Sequence, residues 1–307
     1  MIKNIVLIDG LNRSGKNALV DIITSLKRSE SIEMNYILEH IVEGIALKKI
    51  NMEFAKAFFS KFFLEITYNK FLGRNSNFRK NDKSSIFRFA NSNLYKKRIL
   101  QKDGEHIFLK IKKSQNFFPF MTHEIFSNID IFDKLKLDFK MIAVFRNPYH
   151  ILYSWHQKKL VKKFGEKNFT LSFKKKGKNI PWYVYGHEKN YKKLNDLNKA
   201  AFIIYKLINN SIKKYSRIKD KKKFLFIKYE NFVENPFKDL KKICKFLKTS
   251  YGKKTRLKVT QSGLPLKINK KKSDYKEIFL KRRLSKNLFN KLKILEKKYN
   301  KNLYGLK

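Results

Sequence analysis

The residues with the clearest chemistry form a loop bounded by two glycines, between an apolar run at 5–8 and a stretch of helical apolar spacing from residue 17. The loop reads Gly10, Leu11, Asn12, Arg13, Ser14, Gly15, Lys16 and Asn17. Glycine permits the positive φ angles of a tight strand-to-helix turn, and the backbone N–H groups of such a loop bind phosphate-like anions together with the following helix N-terminus. Arg13 and Lys16 add positive charge there. The loop therefore predicts a site for a phosphorylated ligand.

The spacing of this loop is close to that of a Walker A motif. Gly10, Gly15 and Lys16 match it, but Asn17 stands where a Ser or Thr hydroxyl would ligate Mg²⁺. The loop alone leaves open a kinase or an ATPase that uses a nucleoside triphosphate with magnesium. Such an enzyme would also carry an acidic Mg²⁺ ligand at the end of a strand, whereas the clearest later strand ends in Arg146. The His residues and the single Cys show no ligand spacing, so we expect no metal requirement.

A second polar group follows that later strand. The apolar run 141–145 ends at Arg146, and Pro148 suits the first turn of a helix. A guanidinium pairs bidentately with phosphate, and the adjoining helix start adds N–H donors and a favourable dipole. Ser154 lies eight residues beyond Arg146, on roughly the same helix face. Arg146 and Ser154 therefore predict a second phosphate-binding position.

A parallel sheet would bring these groups together, and a third strand end carries Tyr229 and Glu230. Apolar patterning predicts strands at 5–8, 106–111, 117–123, 141–145 and 224–227, helices at 17–26, 34–49, 52–71, 149–163, 194–215, 236–247 and 275–299, and loops at 73–85, 164–178, 181–186 and 252–272. This alternation predicts an α/β fold whose parallel sheet is flanked by helices on both faces, with the ligand at the carboxyl ends of the strands. We expect one domain over 1–307, with a helical insertion at about 34–100 and a basic C-terminal loop plus helix at 252–307.

Composition narrows the class of protein and its possible partners. The chain has 307 residues, 72 Lys+Arg against 25 Asp+Glu and a formal charge of +47, which would attract polyanions. A non-enzymatic polyanion-binding protein is therefore an alternative, although no nucleic-acid-binding module is present and abundant Lys, Asn, Ile and Phe are also what an A/T-rich genome produces. Cys244 is the only cysteine, no apolar run approaches about 20 residues, and the first strand begins almost at once. We expect a cytoplasmic protein without a signal peptide or a transmembrane segment, for which peripheral membrane association stays open.

Taken together, the three strand ends resemble the family of sulfotransferases that use PAPS (3′-phosphoadenosine 5′-phosphosulfate). The loop at 10–17 is similar to the family's 5′-phosphosulfate-binding loop, and 146–154 is similar to its 3′-phosphate motif. The stretch 229–236 resembles the family's YED…NP signature, and the resemblance covers most of the chain in the correct order. It implies a P-loop-containing α/β fold and transfer of a sulfuryl group from PAPS to a hydroxyl or amine, with release of PAP and no metal. The acceptor stays open among small molecules, lipids and glycans.

The resemblance also implies individual roles. Arg13 stands where the family stabilises the PAP leaving group, while Lys16 and Asn17 occupy positions that are usually Thr, so Lys16 is a candidate to neutralise charge instead. Arg146 and Ser154 would hold the 3′-phosphate. In addition, Tyr185 with Gly186 resembles the aromatic element that stacks on adenine, although an aromatic loop cluster with Trp182 explains it equally well. The run Lys270–Lys272 fits a solvated charge cluster better than the family's basic C-terminal loop.

The general base that the acceptor needs has two candidates. His123 lies 23 residues before Arg146, a placement close to that of the catalytic His in cytosolic sulfotransferases. Glu33 falls after the first helix, where tyrosylprotein-type and related sulfotransferases carry a catalytic Glu. Further acidic or imidazole groups in reserve are Glu30, Glu39 and His40. The sequence leaves the choice between His123 and Glu33 open.

Overall fold

The computed structural model describes residues 4–175, 177–265 and 267–306. Its strands are β1 (Ile5–Asp9), β2 (Phe118–Met121), β3 (Phe139–Phe145), β4 (Ser172–Lys175), β5 (Lys178–Pro181) and β6 (Phe224–Lys228). Four of them form a parallel sheet in the order β2-β1-β3-β6, and β4 pairs with β5 in an antiparallel hairpin. The parallel sheet confirms the predicted fold class.

Helices cover both faces of the sheet. They are α1 (Lys16–Ile23), α2 (Ile37–Ala46), α3 (Met52–Leu72), α4 (Ser92–Arg98), α5 (Glu105–Lys113), α6 (Ile129–Leu135), α7 (Pro148–Gln157), α8 (Glu188–Lys192), α9 (Asp196–Tyr215), α10 (Tyr229–Glu234), α11 (Pro236–Leu247), α12 (Thr255–Gln261), α13 (Lys270–Arg283) and α14 (Lys286–Asn302). Alternate residues of β1 point to opposite faces, so Ile5 and Leu7 join the core with α3, α7 and α9, while Val6 and Ile8 join the core with α1 and α11. None of the helices in the described ranges is long and apolar enough to cross a membrane.

Several predicted elements were wrong. The predicted strand 106–111 belongs to the helix α5, because Ile107 and Ile111, four residues apart, both pack against the core from one helix face. The predicted loop 164–178 contains β4 and the start of β5, a hairpin in which β4 ends at the exposed Lys175 and β5 begins at the exposed Lys178. The predicted helix 149–163 ends at Gln157, and a short 3₁₀ turn follows Lys159, whose φ is 51°.

Two predictions near the end of the chain also needed correction. The stretch 252–272, predicted to be irregular, contains α12, and α13 begins within it at Lys270. The predicted single helix 275–299 is interrupted between α13 and α14, where Leu284 is extended and the Ser285 N–H donates to Asn198 Oδ1 at 3.0 Å. Leu284 is buried there, so the break lets an apolar side chain enter the core.

The outer side of β2 is covered by the segment 29–33. This segment runs parallel to β2 and forms bridges between Ser29 and Phe117 and between Glu33 and Phe120. The Met121 N–H donates to the Glu33 carbonyl at 2.9 Å, and the Thr122 N–H donates to the Ile8 carbonyl at 3.0 Å. Glu33 therefore lies at the same carboxyl edge of the sheet as the end of β1.

Candidate active site at the carboxyl edge of the sheet

Both glycines of the loop at 10–17 are required by their neighbours. Gly15 has a φ of 96°, and a Cβ there would lie 2.2 Å from Cδ2 of Tyr229. A Cβ on Gly10 would lie 2.6 Å from the Val144 carbonyl of β3. The loop therefore passes close to both β3 and the residue after β6, and a side chain at either glycine would displace it.

The remaining loop residues turn their polar groups in different directions. The Lys16 Nζ is buried and donates to the Gly10 carbonyl at 2.7 Å and to the Leu11 carbonyl at 3.5 Å. Burial lowers the pKa of Lys16, against the opposing charge of Asp9. Asn17 is exposed on the first turn of α1. Lys16 thus lies folded over the loop, close to its backbone.

The loop is joined to the start of α7 by contacts that bring the predicted phosphate-binding residues together. Arg13 Nε donates to Ser154 Oγ at 2.8 Å, and Arg146 donates through NH1 to the Arg13 carbonyl at 3.0 Å. The Trp155 indole N–H donates to the Asn12 carbonyl at 2.8 Å. The predicted positions Arg13, Arg146 and Ser154 therefore form one group, although they come from two strand ends.

Residues after β6 hold Arg146 in place. Its guanidinium lies 4.6 Å from the centre of the Tyr229 ring. The Glu230 carboxylate accepts from the Asn147 N–H at 3.1 Å and from the Tyr299 hydroxyl, and it lies 3.5 Å from His150 Nδ1. Burial acts to raise the pKa of Glu230, but these hydrogen bonds outweigh it and lower the pKa. Glu230 therefore stays ionised and links the start of α7 to β6 and α14.

Glu33 faces an open cleft. Its carboxylate lies 3.2 Å from Lys70 Nζ, and its side chain is 25% exposed. The cleft has a volume of about 470 Å³ and lies between the segment after α1, α3 and the loop that follows α3. Its lining includes Phe58, Phe62 and Asn69. The cleft offers Glu33 both apolar and polar surroundings and leaves room for a second molecule.

His123 lies in an enclosed environment. Glu39 Oε1 accepts from the His123 backbone N–H at 2.9 Å and lies 3.1 Å from its Nδ1, and the Tyr36 ring stacks at 5.7 Å. Burial, followed by the charge of Lys16, lowers the pKa of His123 to about 3. Its imidazole is therefore neutral near pH 7, with one ring nitrogen turned to Glu39.

Buried carboxyl groups surround His123, and sequence reasoning missed most of them. Burial raises the pKa of Glu39 to about 8 and those of Glu43 and Glu124 to about 7. The Asn12 N–H donates to Glu124 Oε1 at 3.5 Å, so this acidic group reaches the loop. From the sequence, Glu39 was only a reserve candidate, and neither Glu43 nor Glu124 was a candidate. The spacing of Glu39 and Glu43, one helical turn apart on α2, was the available signal.

The other predicted residues lie outside this arrangement. Tyr185 contacts the β4–β5 hairpin, 4.7 Å from Lys175 Nζ and 5.6 Å from the Phe173 ring. Glu30 is fully buried against Arg98, and His40 Nδ1 lies 3.1 Å from Glu43. The structure therefore brings together neither Tyr185 with the loop nor Glu30 with the cleft.

The C-terminal lysine run and possible metal ligands were also considered. Lys270–Lys272 are exposed at the start of α13. Across the described ranges, no group of three or more His, Cys, Asp or Glu side chains is arranged to hold a metal ion.

Comparison with protein families gives a match over nearly the whole chain. The profile of the family described as "Sulfotransferase domain" matches residues 3–300. No curated protein sequence matches the chain.

Among solved structures, similar folds include the sulfotransferase domain of the curacin biosynthetic pathway, at 12% identity and a TM-score of 0.44, covering 86% of this chain and 78% of that one. The sulfotransferase STF1 from Mycobacterium tuberculosis has 12% identity and a TM-score of 0.44, covering 92% and 76%. Mouse sulfotransferase SULT7A1 complexed with PAP has 12% identity and a TM-score of 0.36, covering 85% and 64%.

Proposed function

This chain belongs to the sulfotransferase domain family, and from that premise we propose that it transfers a sulfuryl group from PAPS to a hydroxyl or amine of an acceptor in the cleft beside Glu33. PAPS supplies the activated sulfuryl group, with PAP as the departing product. The observation that carries the proposal is the group formed by Arg13, Arg146 and Ser154 at the ends of β1 and β3. A cationic group of this kind, next to an anion-binding loop, suits a nucleotide that carries phosphates at two positions.

The residues present fit such a nucleotide. Within the described part of the chain, Ser14 Oγ and Arg146 Nε are buried and have no hydrogen-bond partner. A buried donor without a partner is costly, and a phosphate oxygen would satisfy it. The close approach of the loop at Gly10 and Gly15 supports the same interpretation, because it holds the loop against β3 and Tyr229, beside the Arg146 guanidinium.

We assign the charge-neutralising roles to Arg13 and Lys16. Group transfer of this kind depends on positioning and on stabilising the charge that develops on the leaving phosphate. Arg13 is held by Ser154 beside Arg146, and Lys16 lies over the backbone of the same loop. Lys16 would exchange its contact with the Gly10 carbonyl for one with a phosphate oxygen.

We assign proton acceptance to Glu33 rather than to His123. A general base must lie within reach of the proton that the acceptor loses. Glu33 lies on the cleft with Lys70 beside it, whereas His123 is enclosed and has a pKa of about 3. In this scheme Glu33 takes the proton that the acceptor hydroxyl or amine loses, and Glu39 holds His123 as part of the wall.

Thermal unfolding with added nucleotides tests the donor. PAP should stabilise the protein without metal, by about 2.7 kcal/mol at a hundred times its Kd, and ADP should stabilise it far less. Arg146→Ala should remove the difference between PAP and ADP, because the 3′-phosphate distinguishes the two. Arg217→Ala is the matched control, since Arg217 is exposed and lies a few residues before β6, at the opposite edge of the sheet.

The opposite result would favour the alternative of a kinase or an ATPase that uses a nucleoside triphosphate with magnesium. If ADP with Mg²⁺ stabilises as well as PAP and Arg146→Ala changes neither, the PAPS proposal is wrong.

A further inference from the structure

One stretch of the surface has an unusual concentration of exposed apolar side chains. Of the fourteen large hydrophobic residues that are exposed in the described part of the chain, four lie between positions 99 and 109. They are Ile99, Leu100, Phe108 and Leu109, with Leu100 at 83% exposure. Single exposed apolar residues are ordinary, but a contiguous group marks an interaction surface.

These residues belong to one surface, because α5 folds back beside the end of α4. Lys110 Nζ donates to Gln101 Oε1 at 2.7 Å, which ties α5 to the residues after α4. The Phe108 ring lies 4.7 Å from the Tyr68 ring of α3, and the Gly104 N–H donates to the Tyr68 hydroxyl at 3.1 Å. The core side of α5 is anchored by Ile107, so its opposite side faces solvent. We call residues 96–113 the α4–α5 face.

The charge of the α4–α5 face is strongly positive. Its exposed lysines are Lys96, Lys97, Lys102, Lys110, Lys112 and Lys113. The exposed acidic residues in this range are Asp103 and Glu105, and Asp103 is paired with Arg74 at 3.0 Å. Exposed apolar groups surrounded by lysines are the combination that binds a lipid surface, since apolar side chains enter the headgroup region while lysines contact anionic lipids.

We propose that the α4–α5 face docks the protein onto membranes that carry anionic lipids. Each lysine near such a surface contributes about 1 kcal/mol to the binding free energy. The apolar side chains add the free energy of burying their surface in the headgroup region. The face adjoins the cleft, because Arg74 lines the cleft and is also paired with Asp103 of the face. Docking would therefore hold the rim of the cleft at the membrane surface. The docking proposal does not depend on the identity of the transferred group.

Flotation of the full-length protein with lipid vesicles tests the proposal. Wild-type protein should float with vesicles of phosphatidylcholine and phosphatidylserine. It should remain in the bottom fraction when the vesicles contain phosphatidylcholine alone. The triple variant Leu100→Ser, Phe108→Ser, Leu109→Ser should bind at least about tenfold more weakly, because it removes the inserting groups. Its matched control is Leu257→Ser with Ile294→Ser, which changes exposed apolar residues outside the face.

A second pair of variants separates local from general charge. Lys102→Gln, Lys112→Gln, Lys113→Gln on the α4–α5 face should weaken flotation more than Lys238→Gln, Lys241→Gln, Lys245→Gln on α11, although both remove the same charge from exposed positions. Equal weakening by the two lysine variants, or wild-type flotation of the folded serine variant, would overturn the proposal. So would sedimentation data in which the face mediates self-association and vesicle binding does not change.

Discussion

The carboxyl edge of the sheet has a cationic side and an acidic side. Around the ends of β1 and β3 lie Arg13, Lys16 and Arg146, which contact one another through the loop backbone and Ser154. Around the end of β2 lie Glu33 and the buried carboxyls beside His123. The chain has 25 acidic and 72 basic residues, so a cluster of carboxyl groups is not expected from its composition. The contrast suggests a division of work, with anionic phosphates on one side and proton acceptance on the other.

Two carboxyl groups of the segment 29–33 differ in their surroundings. Glu30 is fully buried and accepts from Arg98, Tyr95 and the Asn116 amide. Glu33, three residues later, pairs only with Lys70 among the contacts described and faces the cleft. Burial acts to raise the pKa of Glu30, but hydrogen bonds led by Arg98 outweigh it and lower the pKa. The first carboxylate is therefore structural, and the second is available for chemistry.

The largest expected effect comes from the residue that we propose as the base. Glu33→Gln keeps the size of the side chain and removes proton acceptance, so kcat for sulfuryl transfer should fall by about 10²- to 10⁴-fold. PAP binding should not change, because the donor group lies on the cationic side. Glu65→Gln is the matched control, since Glu65 is an exposed carboxylate that lines the same cleft. If His123→Asn shows the large loss and Glu33→Gln does not, the roles of the two residues are reversed.

Glu30→Gln should affect stability rather than chemistry. Removing one partner of a buried ion pair leaves Arg98 uncompensated, and such changes cost about 3–5 kcal/mol of unfolding free energy. Urea unfolding of Glu30→Gln and Glu33→Gln should therefore separate the two, with Glu33→Gln within about 1 kcal/mol of wild type, because Glu33 is partly exposed and Lys70 Nζ also donates to Ser31 Oγ at 3.1 Å. Equal losses of stability would mean that Glu33 is as structural as Glu30.

Sequence patterns predicted the cationic side better than the acidic side, for a physical reason. The loop at 10–17 is one contiguous segment, and Arg146 follows a strand whose apolar run is unmistakable, so a parallel sheet necessarily brings them to one edge. The acidic side depends on side-chain packing between α2, the segment 29–33 and the residues after β2. No local pattern shows that Glu39 contacts His123 or that Glu33 opens onto a cleft.

The secondary-structure elements that were predicted incorrectly have a similar explanation. Residues 106–111 contain enough apolar residues for a strand, but they form α5 because only one side of this segment meets the core. The β4–β5 hairpin was missed because its strands are only four residues long and rich in lysine, with buried residues only at the end of β5. Tyr185 was named from its resemblance to an adenine-stacking element, and it lies against that unpredicted hairpin.

The pH dependence of stability gives a smaller and more specific test of the acidic side. The pKa of Glu39 rises from an ordinary value of 4.5 to about 8 on folding, chiefly through burial. The folded state therefore holds this proton more tightly, and the contribution of Glu39 to stability should fall as the pH rises from about 4.5 to about 8, by at most about 1.4 kcal/mol per pH unit. Glu43 and Glu124 act in the same direction, whereas His123, whose pKa falls from 6.5 to about 3, acts in the opposite direction below about pH 6.5.

Glu39→Gln should flatten this decline, because glutamine keeps the oxygen that accepts from the His123 N–H but cannot ionise. Unfolding midpoints of wild type and variant, measured at several pH values between 4.5 and 8.5, should diverge in favour of the variant as the pH rises. An unchanged slope would show that Glu39 is ionised in the folded protein at neutral pH, against the burial argument.

The smallest expected effect comes from Ser154, and it separates two roles on the cationic side. Ser154 Oγ accepts from Arg13 Nε, so its removal could weaken PAP binding either directly, at the 3′-phosphate, or through Arg13. Loss of one hydrogen bond corresponds to about three- to tenfold in Kd. If Ser154 contacts the 3′-phosphate, calorimetric titration of Ser154→Ala should show weaker binding of PAP and unchanged binding of ADP. The control is Ser262→Ala, directly after α12. Equal losses for both nucleotides would instead make Ser154 a positioning residue for Arg13. No change for either would remove Ser154 from the site, and the cationic side would then consist of the loop and Arg146 alone.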